Sequence, residues 1–105
     1  MAYKPKFSDL AADDLDEIIR YFCDDLYMPQ AAGRFHKSIY KQLDLICNNP
    51  CMYPLHHDDK LRNAGLRFVT VGKYVLFYTV DDYATVVNIV RIVYGSRNFS
   101  IIFED

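Results

Sequence analysis

Apolar residues recur along this chain with two different periods, and the change of period divides it in two. Tyr3, Pro5 and Phe7 alternate with Lys4 and Lys6 and predict a short strand, at a sheet edge because Pro5 has no ladder N–H to donate. Ser8 is then placed to N-cap a helix, with Asp9 in the first turn favourable to the helix dipole. Ala11, Leu15, Ile18, Ile19, Phe22 and Leu26 follow at helical spacing, with Asp13, Asp14, Asp16 and Glu17 on the wet side. That is an amphipathic helix of about five turns. Tyr27-Met28-Pro29 interrupts it, and Pro29 suits the first turn of a second helix striped by Ala32, Phe35, Ile39, Leu43 and Ile46. Asn48-Asn49-Pro50 ends that helix, and so short a connection predicts an antiparallel helical hairpin.

After a loop over residues 50–65, the period changes to that of strands. In Val71-Gly72-Lys73-Tyr74, glycine occupies the first central position of a two-residue type II′ hairpin turn. Val80-Asp81-Asp82-Tyr83 supplies a second turn, and Thr85 to Tyr94 is apolar on both faces, as an interior strand is. The order β-α-α-β-β-β predicts one α+β domain over residues 1–105, a helical hairpin packed on a small, mainly antiparallel sheet.

Composition narrows the class. Nine Tyr and seven Phe in 105 residues argue for a packed core and against disorder. No apolar run approaches the ~20 residues of a membrane helix, and Met1 to Lys6 lacks a signal-peptide apolar region, so a cytoplasmic protein without a membrane partner is expected. Cys23, Cys47 and Cys51 are an odd set and fit reduced thiols. The net charge of −2 conceals an asymmetry. Residues 1–59 carry ten acidic against six basic side chains, whereas residues 60–97 carry six basic against only Asp81 and Asp82. An anionic partner is expected to meet the second half.

Few residue groups carry chemistry. Cys47 and Cys51 with His56 and His57 lack the paired spacing of structural zinc, and read as buried thiols and solvated histidines. No metal or cofactor is expected. Cys47 lies at a helix end of the wrong polarity to stabilise a thiolate, and no base can be placed beside it. The arginines of the strands differ. Arg67 opens a strand, and Arg91 stands mid-strand between Val90 and Ile92, where a charge is costly unless paired. Two readings of Arg91 stand: a structural pair with a helix carboxylate or chain carbonyls, and a functional cation. Lys73 at the hairpin tip and Arg97 beyond Gly95 are expected to be exposed, with Tyr94 on the face opposite Arg91. Together Arg67, Lys73, Arg91, Tyr94 and Arg97 form a candidate site for phosphate or an acidic segment.

At these residues the chain resembles the RelE/ParE superfamily of toxins from bacterial type II toxin–antitoxin modules. The resemblance runs nearly end to end. It takes in Ser8, Ala31-Ala32, Asn49-Pro50, Tyr53-Pro54, Leu61-Arg62, Gly65-Leu66-Arg67, Tyr74-Val75-Leu76-Phe77-Tyr78 and Val90-Arg91-Ile92-Val93-Tyr94-Gly95-Ser96-Arg97. It implies a toxin neutralised by a cognate antitoxin that lies along the helical hairpin and sheet and forms an oligomer with it. On the same footing Phe22 and Phe35 are expected in the core, with exposed apolar residues near the hairpin touching the antitoxin.

RelE-like members cleave mRNA in the ribosome, and ParE-like members inhibit DNA gyrase. The cleaving members typically carry arginine where this chain has Val75, and histidine, tyrosine or basic groups near Val93 and Tyr94. Attack by a 2′-hydroxyl needs a base, an acid and cations on the phosphorane charge, none of which valine supplies. The resemblance therefore points to the ParE branch and to gyrase. The alternatives are a ribosome-dependent endoribonuclease using Arg67, Arg91 and Tyr94, with Lys73 or the loop histidines, and a non-toxic antitoxin-binding protein.

Overall fold

A computed structural model describes residues 2–95. The elements are β1 (Lys4–Phe7), α1 (Asp9–Arg20), a π-helical turn (Tyr21–Asp25), α2 (Pro29–Asn48), α3 (Asp59–Asn63), β2 (Arg67–Val71), β3 (Tyr74–Asp81) and β4 (Val86–Tyr94). The sheet order is β1-β4-β3-β2, with β1 parallel to β4 and the other pairings antiparallel. This is the expected α+β architecture, with β1 at an edge and β4 in the interior.

Local chemistry explains the elements. Ser8 Oγ accepts from the Ala11 amide at 3.0 Å and donates to the Val90 carbonyl at 2.8 Å, so one hydroxyl caps α1 and ties it to β4. Gly72 has φ +61° while Lys73 does not share the positive region, as a type II′ turn requires. Between the helices Tyr27 adopts φ +54°, a conformation that favours glycine. It is pinned by the flanking amide bonds from Leu26 to the Tyr21 carbonyl and from Met28 to the Phe22 carbonyl.

The helical hairpin covers one face of the sheet. Ala11, Ile18, Phe35, Ile39, Leu43 and Ile46 pack there on Val69, Leu76, Tyr78, Val87, Ile89 and Ile92. A smaller cluster on the other face joins Val75, Phe77 and Val93 to Leu61 and Leu66. Phe35 is buried as expected, but Phe22 is only half-buried, its ring tilted against that of Phe35 at 5.9 Å at the open end of the hairpin.

Four expectations need correction. The first helix does not run as a plain α-helix to Leu26. It ends in the π turn closed by the Leu26 amide on the Tyr21 carbonyl at 3.1 Å. The 50–65 segment is not all loop, because α3 lies within it. Asp58 caps α3 by accepting from the Leu61 amide, and Gly65 at φ +80° closes it in a Schellman motif, with Gly65 bonded to the Arg62 carbonyl and Leu66 to that of Leu61. The second hairpin turn lies at residues 82–85, later than expected, because Asp81 accepts from the Ala84 amide and Thr85 takes φ +60°. The thiols and imidazoles also divide otherwise: Cys51 is exposed, and His56 is buried while His57 is not.

His56 stacks on His57 at 4.4 Å, lies 5.1 Å from Phe68, and accepts the Asp58 amide on Nδ1 at 3.0 Å. Burial first, and His57 second, hold its proton affinity below the ordinary 6.5. A histidine kept neutral by folding contributes stability above pH 6.5 that is lost as pH falls through its lower folded value. Urea unfolding is therefore expected to show stability falling below pH 6.5, with a smaller fall in His56→Gln, whose amide oxygen can still accept from Asp58. Gly65→Ala, with open space for its methyl but the same positive φ, should cost about 1 kcal/mol in the same assay.

Candidate functional site

The strands that carry the candidate residues are not regular. β3 pairs Tyr78 with Ile89 but Phe77 with Arg91, so Val90 is an extra residue and β4 bulges there. Where β1 stops pairing at Ile89, the start of α1 covers the exposed edge of β4. Ser8 takes the Val90 carbonyl, and the Asp14 carboxylate takes the Ile92 amide at 3.0 Å. The same carboxylate receives the Arg91 guanidinium in two bonds, from Nε at 2.7 Å and from Nη2 at 2.9 Å. Both side chains are largely buried, at 18% and 12% exposure. The hydrogen bonds to Asp14 raise the Arg91 pKa. Arg91 is thus held in a structural pair with a helix carboxylate.

Arg67 is also engaged. Its Nη1 donates to the Tyr53 carbonyl at 2.7 Å, beside the fully buried Tyr78, whose hydroxyl donates to the Pro50 carbonyl at 3.0 Å. Burial pushes the Tyr78 phenol up to about 12, partly offset by Arg67. These bonds fasten the 50–55 segment to the sheet. Arg67 lies opposite Tyr78, whereas Lys73 and Tyr94 lie at the Tyr74 end of β3, about 13 Å along the strand. The four candidates among the described residues therefore do not converge on one point, and Arg97 lies outside the described residues.

Lys73 and Tyr94 do come together. The Gly95 amide bonds the Lys73 carbonyl, and the Tyr94 ring meets Tyr74 edge-on at 5.5 Å. Tyr21, from the π turn, joins them. A cavity of 380 Å³ opens there, lined by Tyr21, Phe22, Leu26, Phe35, Tyr74 and Tyr94 with Gly72 and Lys73 at its edge. Leu26, Met28 and Tyr27 stand exposed beside it, Tyr27 at 83%. Tyr21 and Tyr74 were not among the site residues expected from the sequence. Tyr74 follows the Gly72-Lys73 turn and pairs with Tyr94, which is the signal that could have placed it.

Val75 and Val93 are cross-strand partners buried at 7% and 3%. Burial pushes the Cys47 thiol pKa up, the reverse of nucleophile activation. Among the described residues no group of three or more His, Cys, Asp or Glu is arranged to hold a metal ion.

A family model described as ParE toxin of type II toxin–antitoxin system, parDE, matches residues 6–99. The chain belongs to the ParE toxin family. This is the branch to which Val75 and Val93 pointed. The fold of this ParE-family chain is shared by solved structures of low identity. The chromosomal ParDE toxin–antitoxin system from P. aeruginosa matches with TM-score 0.68 and 21% identity, over 89% of this chain and 96% of that one. The toxin–antitoxin complex RelBE2 from Mycobacterium tuberculosis matches with TM-score 0.62 and 19% identity, over 90% and 99%. The intact E. coli RelBE complex gives 0.62 and 16%, over 91% and 100%. No curated protein sequence matches the chain.

Because Asp14 neutralises Arg91 and also holds the Ile92 amide, Asp14→Ala leaves a mostly buried guanidinium unpaired. It is expected to lower unfolding free energy by about 3 kcal/mol. The double variant Asp14→Leu/Arg91→Met should recover the share of that loss due to the unpaired guanidinium, but not the share due to the Ile92 amide, in the same denaturation assay.

Proposed function

We propose that this ParE-family chain is the toxin of a type II toxin–antitoxin module, held inactive by a cognate antitoxin protein, and that it acts by binding DNA gyrase. The observation that carries the choice of target is the buried Val75–Val93 pair. It stands at positions where RNA-cleaving relatives keep polar chemistry, and two aliphatic side chains can neither move a proton nor stabilise a phosphorane. Arg67 and Arg91, two residues of the RNase alternative, are bonded to the Tyr53 carbonyl and to Asp14. Among the described residues, one end of the surface is apolar and aromatic, with Tyr21, Leu26, Tyr27, Met28 and Tyr94 exposed and Lys73 beside them. Such a surface suits protein docking. The assignment of an antitoxin partner is supported by the solved relatives, which are themselves toxin–antitoxin complexes.

In a supercoiling assay with purified gyrase, the isolated protein is expected to inhibit the reaction, and cognate antitoxin to relieve it. Lys73→Glu and Tyr94→Ala should each weaken inhibition about tenfold, the loss of one good docking contact. Supercoiling and DNA cleavage unchanged over a wide range of protein concentration would overturn the gyrase target. Codon-positioned mRNA cuts in a ribosome assay, lost in Tyr94→Phe, would put an endoribonuclease in its place.

A further inference from the structure

Tyr21, Tyr74 and Tyr94 form a wall with two chemically different sides. On one side is the apolar 380 Å³ cavity with Phe22, Leu26 and Phe35. On the other is a second cavity of 160 Å³, walled by the same three rings and by Ile18, Ile92, Asp14 and Glu17. The second is well below the roughly 300–1,000 Å³ of small-molecule sites and is suited to one side-chain head.

Its charge is negative. Arg91 is balanced by Asp14, and Glu17 lies near enough to raise the Arg91 pKa further. Glu17 has no hydrogen bond or ion pair among the described residues, so the group carries one uncompensated negative charge. Beyond it lie Asp24 and Asp25, while Arg20 is taken by Asp16 at 3.3 Å. Lys73 lines the apolar cavity and not this one. Phenol rings attract cations to their faces, and a carboxylate beside them adds charge complementarity. Arginine suits such a place better than lysine, because its planar guanidinium stacks on rings while bonding a carboxylate.

We propose that Tyr21, Tyr74, Tyr94 and Glu17 form a cage for an arginine of a partner protein, and that an apolar residue beside that arginine seats in the Phe22–Leu26–Phe35 cavity. For the existence of a partner at this end of the hairpin, the cage rests on the docking role proposed above. Its test needs neither gyrase nor antitoxin, so the two fail separately.

The probes are the capped peptide Leu-Arg-Leu and its twin with citrulline, the neutral isostere of arginine, titrated against the full chain by NMR. The arginine peptide is expected to shift the ring signals of Tyr21, Tyr74 and Tyr94 and to bind at least about tenfold more tightly than the citrulline peptide. Glu17→Gln should abolish that preference while leaving the amide spectrum and the thermal transition unchanged. Tyr94→Leu should weaken the arginine peptide more than the citrulline one. Equal binding of the two peptides, or unmoved tyrosine rings at millimolar arginine peptide, would overturn the cage. So would tighter binding of capped Leu-Glu-Leu, which would assign the site to Lys73 and an acidic partner.

Discussion

One carboxylate holds the two halves of this fold in register. Asp14 receives two bonds from Arg91 and one from the Ile92 amide, at the place where β4 bulges and its neighbour β1 has ended. An unpaired amide there would face the underside of α1, and an unpaired guanidinium would sit in an apolar strand. Either would cost on the order of kilocalories per mole. With Ser8 on the Val90 carbonyl, α1 serves as the missing neighbour strand for the last part of β4. The position of α1 in turn fixes where the π turn begins and so where Tyr21 stands.

Much of this was legible in the residues. The helical stripes, Pro29, Gly72 and the doubly apolar β4 gave the element order and which strand lay inside. The bulge was not legible, because a strand apolar on both faces carries no register signal. Strict alternation would group Val87, Ile89, Arg91 and Val93, whereas the helix-covered face takes Val87, Ile89, Ile92 and Tyr94. The short α3 escaped because five residues with one buried side chain, Leu61, show no period. Its caps, Asp58 and Gly65, were the readable part. His56 looked solvated because it sits among His57, Asp58 and Asp59. Its burial follows from packing on Phe68 and Phe77, twelve and twenty-one residues further on.

The candidate site divided in a similar way. Sequence could name the cations of the sheet but not who already held them. A guanidinium in an apolar strand and one at a strand start look alike until Asp14 and the Tyr53 carbonyl are seen beside them. Once those charges are accounted for, the balance of the exposed chemistry moves to the open end of the helical hairpin. There the rings of three tyrosines, a free carboxylate and an apolar recess occur together.

The extra residue at Val90 bears on how this strand is compared with those of its relatives. It shifts the numbering of everything after it by one, so that Ile92 and Tyr94 take the face that strict alternation would give to Arg91 and Val93. A comparison by residue count with an unbulged strand would therefore set Tyr94 against a position pointing the other way. Matched by face, Tyr94 stands with Tyr74 and Val93 stands with Val75, so the alignment gap belongs at residue 90. Gain or loss of that single residue would change the apparent sequence signature of the strand while leaving the surface it presents intact.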